Sequence, residues 1–134
     1  QALKHLKDGG AIIIFPAGAI SLAPKIFGAA FDLQWKTFVA KLALQPDTTT
    51  IPFYFEGGNS TLFQLARKMS QTLGYSLMFR EICRRMGTGL TVTMRAPVHT
   101  ADLTSLTDRI AVTDYLRQQT YNGHAVAPPL QHGA

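Results

Sequence analysis

GGAIIIFPAGAIS, residues 9–21, sets a continuous apolar run against a Phe-Pro-Ala-Gly turn. Ala11 to Phe15 does not alternate, and such an unbroken β-branched run is the pattern of a central strand covered on both faces in a parallel sheet. Ahead of it, Ala2, Leu3 and Leu6 share one helical face and Gly9-Gly10 supplies a stop, so residues 1–8 read as the end of a helix. Helix, strand and turn in this order predict an α/β fold with a mainly parallel sheet flanked by helices.

The remaining elements extend that alternation. Residues 16–33 are rich in Gly, Ala and Pro without a period, a long loop of the kind that carries function in compact domains. Trp35, Phe38, Val39, Leu42 and Ala43 recur at helical spacing and predict a helix over 34–45, ending before Pro46. Residues 49–55 read as a second strand, in which Pro52 belongs at the start or on an edge because it has no N–H for the ladder. Asn59 or Ser60 caps helical segments over 60–73 and 77–86, split near Gly74. Residues 90–96 alternate as a third strand, and Thr107 or Asp108 opens a last helix carrying Ile110, Val112, Tyr115 and Leu116. Residues 1–120 are expected to form one domain and 121–134 a flexible tail. Three strands are few for a parallel sheet and Gln1 enters mid-helix without a methionine, so the sequence reads as the C-terminal part of a longer protein.

Composition narrows the partners. Thirteen Lys and Arg against eight Asp and Glu give a net charge of +5, which favours an anionic partner such as nucleic acid, a phosphorylated ligand or an anionic membrane leaflet. Nucleic acid is the poorest of these, since no recognition motif is visible and the basic residues do not alternate with stacking aromatics. No apolar run approaches the ~20 residues of a membrane-spanning helix. The single cysteine, Cys83, excludes an internal disulfide and an all-cysteine metal site, and reads as a small buried apolar residue. No phosphate-binding G-x-x-x-x-G-K-[ST], dinucleotide G-x-G-x-x-G or serine-hydrolase G-x-S-x-G pattern occurs.

Two regions carry candidate chemistry. Phe15-Pro16-Ala17-Gly18 lies at the carboxyl end of the first strand, where open parallel sheets hold ligands, although an ordinary strand-ending turn has the same composition. Between residues 61 and 86, Arg67, Lys68, Arg80, Arg84 and Arg85 outnumber the single Glu81 and interleave with Leu62, Phe63, Leu65, Met69, Leu77, Met78 and Phe79. That mixture suits helices resting in the headgroups of an anionic membrane, and equally a core-facing stripe with a solvated basic face.

Together with several segments downstream, residues 6–21 resemble the acceptor block of the glycerophospholipid (lysophospholipid) acyltransferase family, in its haemolysin-type bacterial branch. There a glycine-ended helix, an apolar strand and F-P-E-G-T-R-S succeed one another. WKTFVAKLAL, Ile51-Pro52-Phe53, GGNSTLFQLA and LMFREICRRMG continue the likeness over about residues 2–97. The resemblance implies transfer of a fatty acyl group from acyl-CoA or acyl carrier protein to the hydroxyl of a lysolipid, a lysophospholipid or lyso-ornithine-type acceptor, with no bound cofactor. It implies an acceptor pocket at Phe15, Pro16, Ala17, Gly18, Ala19, Ile20, Ser21 and Pro52, and a peripheral place on the cytoplasmic face of the bacterial inner membrane. The family's Glu and Arg are Ala17 and Ile20 here, so Lys25 or Lys36 would have to serve an acceptor phosphate. The family's catalytic H-x-x-x-x-D is not satisfied by His5, His99, His124 or His132, so the stretch by itself is expected to be inactive. A different reading, a non-catalytic lipid-surface module, needs no such motif.

Overall fold

The computed structural model describes residues 1–18, 32 and 34–122. Helix α1 (Ala2–Lys7) ends where Gly9 adopts φ +80°, and the Gly10 N–H donates to the His5 carbonyl at 2.9 Å. Only glycine takes that conformation without strain, so the double glycine is the stop that its position implies.

Residues 11–15 form no strand among the described residues, and Ile13 is 89 % exposed. The expected central strand is therefore not seen, since backbone groups with no neighbouring strand have no ladder to join. Helix α2 (Phe38–Ala43) comes next and buries Val39, Ala40, Leu42 and Ala43.

Strands β1 (Thr49–Thr50) and β2 (Phe53–Phe55) are separated by Ile51-Pro52; further on, β3 (Val92–Met94) and β4 (Val98–His99) are separated by Arg95-Ala96-Pro97. Thr50 pairs with Val98 and Phe53 with Met94, both antiparallel, so the later segment spends one more residue than the earlier one between the two pairs. That offset is a bulge at the two prolines, neither of which has a donor to continue the ladder. Pro52 immediately precedes β2, as its missing N–H requires, and its carbonyl accepts from Arg95 N–H at 2.9 Å. Among the described residues the strands are thus two short antiparallel pairs within an α/β arrangement, not a mainly parallel sheet. An apolar run can be read as buried, but strand direction depends on a partner that periodicity does not reveal.

Helices α3 (Thr61–Met69), α4 (Gln71–Ser76) and α5 (Met78–Arg85) fill the connection between β2 and β3 and pack chiefly on one another in chain order. They break at Ser70, which is extended, and at Leu77. Gly74, the expected break, is buried inside α4. A Cβ there would overlap the Arg67 side chain, so the glycine serves the packing of α3 against α4. Short helix α6 (Thr100–Leu103) continues directly from β4. Helix α7 (Arg109–Tyr121) starts at Asp108, whose carboxylate accepts from the Ala111 N–H at 2.8 Å.

The core joins Trp35, Val39, Ala40 and Ala43 to Val98, Leu103, Val112, Leu116 and Tyr121, with Ala17 included. Thr100 ties its parts together: its hydroxyl lies 2.8–3.1 Å from the carbonyls of Ala43, the last residue of α2, and of Gln45 and Thr48 just beyond it. The chain beyond residue 122, expected as a tail, lies outside the described residues.

Candidate functional site

The Phe-Pro-Ala-Gly segment is a closed turn. Pro16 presets the backbone at its second position, and the Gly18 N–H donates to the Phe15 carbonyl at 3.1 Å. Gly18 then takes φ +61°, a conformation costing an L side chain roughly 1–2 kcal/mol. Lys36 N–H donates to the Pro16 carbonyl at 3.1 Å, which pins the turn to the approach of α2. Ala17 and Trp35 are both buried in the same core, and the Trp35 indole donates to Asp32 at 3.0 Å.

Two segments of the sequence resemblance, the Phe-Pro turn and the tryptophan block, therefore meet in space. Lys36 Cε and Nζ lie 3.5 Å from where a Gly18 Cβ would be, so one of the two candidate lysines runs along the turn. Lys25, like Ala19, Ile20 and Ser21 of the expected pocket, lies outside the described residues. Phe15 is exposed and Pro16 half-buried, while Pro52 is buried in the ribbon and bonded to Arg95.

No described histidine is arranged as a base. His99 Nδ1 is 3.1 Å from Thr49 Oγ1, whereas Asp102 accepts from the His99 backbone N–H at 2.9 Å and so does not orient the ring. Asp8 pairs with Lys4 at 2.8 Å on the open surface, an ion pair worth little. Among the described residues no group of three His, Cys, Asp or Glu is placed to hold a metal, and no helix is long and apolar enough to cross a membrane.

The second region is α3–α5, where the structure sorts the five basic residues. Lys68 and Arg80 are exposed, and Arg84 is half-exposed while donating to Glu81 at 3.4 Å. Arg67 and Arg85 turn inward. Arg67 sits over the Tyr75 ring at 5.0 Å with Nε and Nη1 shielded from solvent, and Arg85 donates to the Gly58 carbonyl. A count of charges along the sequence cannot make this division, because it depends on what each helix packs against.

Glu81 is the residue that composition alone undervalues. It is 4 % exposed and accepts from the Ser60 N–H at 2.8 Å and from the Ser60 hydroxyl, whose oxygen in turn accepts from Phe63 N–H at 3.2 Å. One carboxylate thus anchors α5 to the N-terminus of α3. Burial by itself would raise its pKa, but the two Ser60 hydrogen bonds and the Arg84 charge outweigh it and hold the carboxyl below its ordinary 4.5. Cys83, expected to be buried, is exposed, for α5 turns its polar side inward.

Compared with protein-family models, with curated proteins and with solved structures, the chain has no significant match in any of the three.

Proposed function

We propose that this chain is the acceptor-side part of a lysolipid O-acyltransferase. The reaction joins the acceptor hydroxyl oxygen to the carbonyl carbon of an acyl thioester, from acyl-CoA or acyl carrier protein, and breaks the carbon–sulfur bond. The thiol leaves and a base takes the hydroxyl proton. The observation that carries the reading is the closed Phe15–Gly18 turn hydrogen-bonded to Lys36, because it unites two of the sequence blocks on which the family resemblance rests. A rigid turn with a side-chain-free Gly18 leaves room for an acceptor to approach the backbone.

In this reading residues 11–15 belong to a mainly parallel sheet, and the exposed Ile13 and Phe15 are apolar surface such a sheet would cover. Proton transfer is assigned to a His-Asp pair that this stretch does not itself carry. Purified full-length gene product, given a labelled acyl thioester and a panel of lysolipids with and without phosphate, is expected to acylate at least one. Transfer to none of them overturns the proposal and favours a non-catalytic lipid-surface module.

A further inference from the structure

Helix α5 is inside out. Phe79, Ile82 and Met86 recur at i, i+3 and i+7, and together with Cys83 they define one side of the helix. That side is open: Phe79 is 81 % exposed, Met86 72 %, and Ile82 more than half. The opposite side carries Glu81 and Arg85, four residues apart, and this is the side held to Ser60 and Gly58. Helix α3 repeats the arrangement more mildly, with Leu62, Leu65 and Met69 exposed at the same spacing and Phe63 and Ala66 buried. Ordinary surface helices bury their apolar stripe and hydrate their charges, so the clasp on Glu81 imposes an orientation that the helix would not choose by burial alone.

We infer that the outward side of α5, with Phe79, Ile82 and Met86 flanked by Arg80, is a docking surface for an anionic lipid bilayer. Charge selects this occupant. The only acidic residue of α3–α5 is turned inward and holds Arg84 to its own side of the helix at 3.4 Å, so the charge beside the stripe, the exposed Arg80, is positive. A second copy docking stripe to stripe would set like charges beside one another, whereas a layer of anionic headgroups over acyl chains satisfies both the arginine and the apolar side chains. The proposal is independent of acyl transfer, and a catalytically silent protein would show it equally.

Cys83 lies on this side, is exposed and is the chain's only cysteine, so an environment-sensitive fluorophore can be placed on it without mutation. Phosphatidylglycerol–phosphatidylcholine vesicles are expected to shift that emission to the blue and to carry the unlabelled chain upward on flotation. Pure phosphatidylcholine vesicles are expected to bind weakly. Phe79→Ser with Ile82→Ser should lower the affinity at least ~tenfold. Arg80→Gln should lower it about fivefold at low salt, and less as salt rises. Arg67→Gln, at a guanidinium tucked over Tyr75, should change it less than about twofold, and circular dichroism verifies that each variant is folded. Unchanged flotation of the folded Phe79/Ile82 variant overturns the inference. Equal binding to both vesicle types also overturns it, as does a change in oligomeric state without any effect on vesicles.

Discussion

Replacing Glu81 with glutamine tests the clasp that turns α5 outward. The carboxylate accepts two hydrogen bonds from Ser60 and one from Arg84 while almost wholly buried. Hydrogen bonds to a charged group contribute ~1.5–3 kcal/mol each, but neighbours sharing one acceptor do not add. Glutamine keeps one acceptor oxygen for the Ser60 N–H and loses the charge, so Glu81→Gln should cost about 2 kcal/mol. Glu81→Ala, which strands that N–H, should cost about 3 kcal/mol. The pH dependence separates this from a packing defect. Because the folded carboxyl titrates below its ordinary 4.5, its contribution is complete above that pH and is lost as pH falls through the folded value. Urea titrations followed by far-UV circular dichroism at pH 7, 5, 4 and 3 should show a constant gap between wild type and Glu81→Gln down to about pH 4.5, closing below it. A gap that persists unchanged at pH 3, or no gap at pH 7, refutes the reasoning.

Thr100→Val keeps the shape of the side chain and removes the hydroxyl facing the three carbonyls at and beyond the end of α2, and urea unfolding should report a loss of about 1–2 kcal/mol with an unchanged slope. Tyr121 should titrate far above its ordinary 10.0, because burial and then the facing Asp32 carboxylate disfavour the phenolate. Absorbance at alkaline pH should therefore show one tyrosine ionising only on unfolding, and stability should fall as pH rises past about 10, a fall that Tyr121→Phe removes.

Local signals are legible where the physics is local. Ser60 and Asp108 cap their helices as their side chains allow, Gly9 stops α1, and Pro52 stands where a missing donor is harmless. The Phe-Pro turn is rigid for reasons visible in its own four residues. What periodicity misses depends on distant partners. Residues 11–15 have the composition of a central strand, yet composition does not supply the neighbour that a strand must pair with. β4 and α6 escape a reading by pattern because two- and four-residue elements generate no periodicity. Gly74 has the look of a helix break, but its value lies in the room it leaves for Arg67. In α5 the i, i+3, i+7 stripe is visible and its direction is not, since a buried glutamate decides it.

The core contains no residue from between Phe55 and Val92. Residues 56–91 are therefore an insert hung on the β2–β3 pair, and the Glu56 N–H to Thr91 carbonyl bond of 3.0 Å marks its neck. The insert is separable in principle: a two-residue Asn-Gly turn spliced across the neck would convert β2 and β3 into an ordinary hairpin. The core would remain as it is, and the excised helices would become a cassette that can be exchanged or grafted onto another antiparallel pair.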